Sequence, residues 1–138
     1  MIVRRATPDD CEGVVTCARA YELTTCDDDY VASLFHVALA CDGMFVALDQ
    51  AIVVGFCGAL VLPHPFSGQP YLNVIAVFVH PTHRGTWAAL GLLRAMLAWA
   101  LLLPLNTVTI SAPQGSGLSR ILERLHFTPL ETVFIKRL

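Results

Sequence analysis

Val77-Phe78-Val79-His80-Pro81-Thr82-His83-Arg84-Gly85 is the stretch on which the reading of this chain turns. It closes a nearly continuous apolar and β-branched run from Tyr71 to Val79, as expected of a strand covered on both faces. A turn-rich loop, His80 to Gly85, follows, and then a long helix from Thr86 to about Leu103. A strand that runs through a glycine-containing loop into a helix leaves free backbone N–H groups at the helix N-terminus. Those donors and the helix dipole favour an anion, typically a phosphate. Arg84 adds a guanidinium beside that terminus, and Gly85 permits close backbone approach.

Outward from this core, Thr107 to Ser111 alternates as a strand, so Tyr71 to Ser111 reads as a right-handed crossover between parallel strands. Upstream, Ile2 to Arg5 is a short first strand. Thr7-Pro8-Asp9-Asp10 supplies an N-cap, a proline at the first helical position and acids in the first turn, so a helix is expected to about Glu22. A second helix carries Tyr30, Leu34 and Ala38 at helical spacing, and Asp42-Gly43 ends it. Met44 to Leu48 and Ala51 to Leu62, parted by Asp49-Gln50, read as a hairpin. Pro63 to Pro70 is dense in turn residues. Leu118 to Leu125 is a short helix, and Val133 to Arg137 is expected as a closing strand. The order is β-α-α-β-β-β-α-β-α-β, with no repeat or linker, so residues 1–138 read as one domain.

Composition narrows the function. The formal net charge is −2 and the nine Lys and Arg are scattered, which gives nucleic acid no electrostatic footprint. Charged residues make up 14% of the chain and hydrophobic ones 55%, where ordinary domains carry roughly 25% charged residues. So apolar a chain is expected to bury surface against a second copy of itself, through surface that includes the Thr86–Leu103 helix. That helix is interrupted by Arg94, followed by Pro104 and shorter than the ~20 residues of a membrane span. The arginines at positions 4 and 5 and the lack of a long apolar region argue against a signal peptide. Five cysteines with no CxxC pair fit buried free thiols in a reducing cytoplasm.

Val77 to Gly85 resembles the signature of GNAT-family acetyltransferases, in which a valine-rich strand leads into Pro-x-x-Arg-Gly. The family pattern [Gln/Arg]-x-x-Gly-x-[Gly/Ala] is met here by Arg84 and Ala89, with Trp87 at the first glycine. Leu118 to Phe127 is similar to the family's last helix, with His126-Phe127 at its Gly-Phe, and Val133 to Arg137 is similar to its final strand. The opening Val3 to Asp10 is also of the family's kind. The resemblance implies an α/β fold with a mixed central sheet, flanking helices and a parallel strand pair splayed at the cofactor site. It implies an N-acetyltransferase that moves an acetyl group from acetyl-CoA to a small-molecule or protein amine, with no metal. Backbone groups of Val77 and Val79 would pair with the pantetheine arm, and Arg84 to Ala89 would cradle the pyrophosphate. The implied cofactor set is Val77, Phe78, Val79, Arg84, Gly85, Thr86, Trp87, Ala88 and Ala89.

Three residues depart from the family. Trp87 replaces a glycine, Leu122 stands where many members have a tyrosine that protonates the thiolate, and Asn73 stands where histone-acetylating members carry a glutamate base. Asn73 cannot take a proton but can hold a water that does, and proximity supplies much of the rate of acetyl transfer. The departures motivate a rival reading, a non-catalytic acyl-CoA-binding or protein-interaction domain. Among the other motifs, His80 and His83 lack acidic or cysteine partners for zinc, and Gly115-Ser116-Gly117 reads as a helix-start loop. Asp27-Asp28-Asp29 reads as a solvated helix cap, with attraction of a cationic amine as the alternative. Tyr30 and Tyr71 read as packed tyrosines with surface hydroxyls.

Overall fold

The computed structural model describes residues 1–138. Ile2–Arg5 forms β1, and a 3-10 turn, Pro8–Asp10, leads into α1, Cys11–Ala18. The Asp10 carboxylate organises this corner. It accepts the Thr7 N–H at 2.7 Å and two guanidinium bonds from Arg4 at 2.7 and 3.0 Å, and the residue is buried. The hydrogen bonds from Arg4 hold the Asp10 carboxyl below its usual range, against the opposing effect of burial.

α1 ends at Ala18, earlier than the Glu22 expected. The Ala18 carbonyl accepts the Tyr21 N–H in a tightened last turn and the Cys26 thiol at 2.9 Å, so the loop itself caps the helix. Arg19 then grips Asp28 at 2.7 Å across the loop's two ends. α2 spans Asp28–Ala40, with Asp27 as its N-cap accepting the Tyr30 N–H at 3.0 Å. Phe35 and Ala38 are its buried residues, while Tyr30 is largely exposed, so the inward stripe starts at Val31 rather than Tyr30.

β2 (Met44–Asp49) and β3 (Ile52–Pro63) form the expected hairpin. The turn falls on Gln50-Ala51, one residue later than expected. Both have positive φ (49° and 65°), the type I′ geometry whose twist suits a two-residue hairpin. β4, Pro70–Val79, pairs antiparallel with β3, and α3, Ala88–Ala100, crosses back to β5, Val108–Ile110, which pairs parallel with β4. α4 is Gly117–Arg124, opened by the Ser116 hydroxyl on the Ser119 N–H. The five strands lie in the order β1-β2-β3-β4-β5.

Two cores sandwich this sheet. On one side α3 and α4 bury Leu92, Leu93, Met96, Trp99 and Leu122 against Leu72, Val74 and Val79. On the other, α1 and α2 bury Val14, Phe35 and Ala38 against Met44, Val46 and Phe56. The buried positions of α3 recur at helical spacing and face the sheet, while Leu101 and Leu102 just beyond its end are exposed. Cys17 and Cys57 are buried, and burial pushes their thiols up to about 11 and about 12; Cys41 is exposed, contrary to expectation. The expected closing strand at Val133–Arg137 does not form, because no strand lies beside it to complete its hydrogen bonds. No helix is long and apolar enough to cross a membrane.

Asp10→Ala should cost about 1.5–3 kcal/mol of stability at pH 7, the worth of a hydrogen bond to a charged group. Because the folded-state pKa of Asp10 is depressed, its contribution is complete above the ordinary carboxylate range and is lost as pH falls through the folded value. Urea titrations of both proteins from pH 7 down to pH 3 should show the gap narrowing. A gap that is constant with pH would mean that the ion pair contributes nothing.

Candidate active site

The site begins with one extra residue in β4. Gly58 pairs with Ala76 and Ala59 with Val74, so Ile75 is a β-bulge. Before the bulge the Leu72 N–H points to β5 and donates to Thr107 at 2.9 Å. After it the alternation is reversed. The His80 N–H donates to the Val54 carbonyl on the β3 side at 2.8 Å, so the polar groups of Val77 and Val79 face away from β3. Pairing with β5 stops at Val74 and Ile110. β4 and β5 therefore part beyond the bulge, with backbone groups of Val77 and Val79 directed to the open side.

The loop beyond β4 delivers donors to the same end. Gly85 has φ +82°, which L side chains rarely adopt, and a Cβ there would meet only open space. Glycine is thus required by conformation, not by crowding. The N–H groups of Gly85, Trp87 and Ala89 have no acceptor. The Ala88 N–H donates to the Thr86 hydroxyl at 3.3 Å, and that hydroxyl donates to His83 at 2.6 Å. Of the expected cradle, Gly85, Trp87 and Ala89 therefore present unengaged donors, whereas Thr86 and Ala88 cap the helix.

Trp87 is the N-cap of α3, so the helix starts two residues later than the Thr86 expected. Its indole folds back over Gly91 one turn on: a Cβ at Gly91 would collide with the six-membered ring and lie 3.1 Å from Val3 Cγ2. The side chain lies along the helix, and its amide remains free.

Side chains from three elements meet around the open end. Arg84 Nε donates to the Val79 carbonyl at 3.2 Å, its Nη2 pairs with Glu22 Oε1 at 2.8 Å, and its Cζ lies 5.6 Å over the Phe78 ring. Phe78 points to the α1–α2 side, against Tyr21 and Phe56. Glu22 and Tyr21 come from the α1–α2 loop, which encloses an open cavity of about 520 Å³ lined by Arg19 and Tyr21 to Cys26. Sequence reasoning placed these two residues in a helix and missed them. Their only sequence signal was the run Leu23-Thr24-Thr25, too short to mark a boundary. The aspartates are spent on structure: Asp27 caps α2 and Asp28 holds Arg19.

His80 Nδ1, Thr82 Oγ1 and His83 Nδ1 are linked at 2.8 Å each, and His83 Nε2 meets Asp49 Oδ2 at 2.9 Å. This chain of contacts ties the His80–Gly85 loop to the end of β2. No group of three or more His, Cys, Asp or Glu converges as a metal site. Asn73 sits at the last paired stretch of β4, opposite Thr109, whose hydroxyl donates to Asn73 Oδ1 at 2.9 Å. Leu122 is buried in the α3–α4 core, 7% exposed.

A parted parallel strand pair followed by free amides at a helix N-terminus is an arrangement that favours an anion. The model of the acetyltransferase (GNAT) family matches residues 11–115. The chain belongs to this family of acetyltransferase enzymes. No curated protein matches the sequence. Among solved structures, an aminoglycoside N-acetyltransferase in complex with CoA superposes with a TM-score of 0.80 at 19% identity, over 99% of this chain and 93% of that one. The ribosomal-protein-alanine N-acetyltransferase from Brucella melitensis gives 0.76 at 20% identity, over 99% and 98%. An aminoglycoside 6'-N-acetyltransferase from Acinetobacter haemolyticus gives 0.74 at 18%, over 100% and 99%. These likenesses carry the mixed sheet and its flanking helices.

The Trp87–Gly91 pair makes a testable cycle. Gly91→Ala should cost about 1–3 kcal/mol by overpacking against the indole. In a Trp87→Gly background only the Val3 methyl remains, and the penalty should fall to near zero, since alanine gains about 1 kcal/mol over glycine in a helix interior. Thermal melts of the four proteins measure the coupling. Equal penalties in both backgrounds would place the indole elsewhere.

Proposed function

We propose that the chain, acting as one domain over residues 1–138, transfers an acetyl group from acetyl-CoA to an amine on a small molecule or a protein. The observation that carries this reading is the set of unengaged N–H groups at Gly85, Trp87 and Ala89 beside the parted ends of β4 and β5. In this reading those amides and Arg84 hold the pyrophosphate. Arg84 keeps Nη1 without a partner. The pantetheine arm lies along β4 and pairs with Val77 and Val79, which requires Arg84 to release the Val79 carbonyl. Phe78, Thr86 and Ala88 support the cradle from behind, through packing and capping.

The transfer joins the amine nitrogen to the thioester carbon and breaks the carbon–sulfur bond. The Val77 N–H, turned into the gap, is the donor placed for the oxygen that gains charge. With Oδ1 engaged by Thr109, Asn73 offers its amide N–H groups to orient a water that takes the proton of the amine. Leu122 has no proton to give the thiolate, which takes one from solvent. Glu22, at the rim of the α1–α2 cavity, is the carboxylate placed to draw a cationic acceptor. The same reading has the protein working as a cytoplasmic homodimer; five cysteines with no disulfide suit that compartment.

One observation favours the rival reading of a non-catalytic acyl-CoA-binding domain: the bulge region offers no ionisable side chain at Asn73, Ile75 or Ala76. Thiol release from acetyl-CoA, followed against a panel of polyamines, aminoglycosides and peptides, separates the two. Release that depends on an added amine establishes transfer, while CoA binding with no release for any amine establishes the rival. Arg84→Ala should weaken CoA binding by about 1.5–3 kcal/mol, roughly 10- to 150-fold. Calorimetry showing unchanged affinity in a folded variant would remove Arg84 from the phosphate site.

A further inference from the structure

The loop between β4 and α3 is held by two side chains. From Pro81 to Thr86 every backbone hydrogen bond stays inside the loop, and two of them are long, 3.4 and 3.5 Å. Polar contacts to the rest of the molecule come from Arg84, on Val79 and Glu22, and from His83, on Asp49. In the proposed reading Arg84 leaves Val79 to meet the diphosphate. His83 and Asp49 then hold alone the turn that aims the Gly85, Trp87 and Ala89 amides.

Asp49 is placed for this by the sheet. It ends β2, paired with Ile52 across the Gln50-Ala51 turn. β3 brings that turn beside the end of β4, where Gly55 pairs with Val79 and the Val54 carbonyl takes the His80 N–H. Asp49 Oδ2 meets His83 Nε2 at 2.9 Å, and the imidazole is the more buried partner, 23% against 43% exposed.

Proton positions along the loop follow from counting hydrogens. The Thr82 N–H donates to His80 Nδ1 at 3.3 Å, so that nitrogen carries no hydrogen. It therefore accepts at its 2.8 Å contact with Thr82 Oγ1, which uses the only hydrogen of the hydroxyl. Thr82 Oγ1 must then accept from His83 Nδ1, also at 2.8 Å. His83 Nε2 faces a carboxylate, which is acceptor-only when ionised. Both ring nitrogens of His83 thus carry hydrogen, and the ring is an imidazolium. The other charged or titratable groups around it are His80 in the loop, Arg84 with Glu22 beyond it, and the buried Cys17 thiol of α1 beside the His80 backbone.

We propose that His83, clamped as an imidazolium between Asp49 and Thr82, is the positioning residue that holds the loop amides in place for a diphosphate. A neutral ring has one N–H, and the chain of bonds from His80 to Asp49 then breaks at one link. Loss of the proton therefore loosens the turn just before Arg84 and Gly85. The residue touches no phosphate itself; it acts through the backbone that follows it. This inference rests on the diphosphate site of the proposed function and is independent of acetyl transfer.

The test uses the full-length chain and dephospho-CoA, which carries the diphosphate but lacks the phosphate monoester that itself titrates at about pH 6. Calorimetry from pH 6 to pH 9 should show wild-type affinity falling as pH rises. Asp49→Asn should weaken binding about three- to tenfold at pH 6, the size of one hydrogen bond, with circular dichroism unchanged. His83→Gln should weaken it equally and flatten the pH profile. The double variant should lose no more than either single one, because the pair acts as a unit. His83→Lys keeps a cation within reach of Asp49 and should recover part of the affinity at pH 9. Nitrogen-15 NMR without nucleotide should show two hydrogen-bonded ring N–H signals for His83 at pH 6, and Asp49→Asn should lose them. A wild type that binds no dephospho-CoA overturns the diphosphate site and the positioning role together. Variants that bind as tightly as wild type, or additive losses in the double variant, leave the diphosphate site standing and overturn the positioning role. A single ring N–H in the wild type also overturns it, whatever binds.

Discussion

The parting of β4 from β5 depends on one extra residue. A strand has a fixed alternation: if residue 72 points its backbone groups to one neighbour, so do 74, 76 and 78. In β4 the bulge at Ile75 breaks that alternation, and Val77 and Val79 take over the outward positions. An unbulged strand would offer β5 a continuous ladder and the sheet would close. The bulge also sets side-chain placement, because Val77 and Val79 join the α3 core while Ala76 and Phe78 face α1 and α2. One insertion thus opens the gap, directs free backbone groups to it, and positions Phe78 to receive Arg84.

The turn from β4 into α3 shows how conformation and space are divided between glycines. Gly85 supplies the positive φ, and a side chain there would be strained even though space is open. The family's next glycine is not needed for conformation, since Trp87 sits at φ −80°. What Trp87 needs is room for an indole, and that room comes from Gly91 one turn later on the same face. Conformation and space are therefore met by different glycines, and the amide of Trp87 stays unengaged.

The centre of the sheet was legible in the sequence because β2, β3 and β4 are long and apolar, and α3 was legible as a long apolar run between a turn-rich loop and Pro104. The strand–loop–helix at Val77–Gly85 was legible for the same reason. What escaped was decided by tertiary contacts. The end of α1 is set by a thiol from Cys26 and an ion pair from Asp28, neither of which leaves a local mark near Ala18. Consequently Glu22 and Tyr21, which the loop carries to Arg84 and Phe78, could not be placed. The closing strand was read from composition, but a strand exists only beside another, and within one chain Val133–Arg137 has none. The register of α2 slipped because Tyr30 is aromatic yet faces out, where α2 begins and packing is thin.

Arg84 links the two sides of the site through contacts of unequal strength. Its pair with Glu22 is about half-exposed on both partners, 48% and 56%, the kind of surface ion pair worth roughly 0–1 kcal/mol. Its bond to the Val79 carbonyl is single and long at 3.2 Å. A diphosphate offers the guanidinium several charged oxygens in bidentate geometry, which is a stronger partner than either. The contacts that hold Arg84 therefore orient its side chain weakly enough that an anion would displace them. Release from Val79 returns a carbonyl to the gap, and release from Glu22 frees a carboxylate at the rim of the α1–α2 cavity. In the proposed reading Arg84 thus couples the His80–Gly85 loop to Glu22 through one side chain.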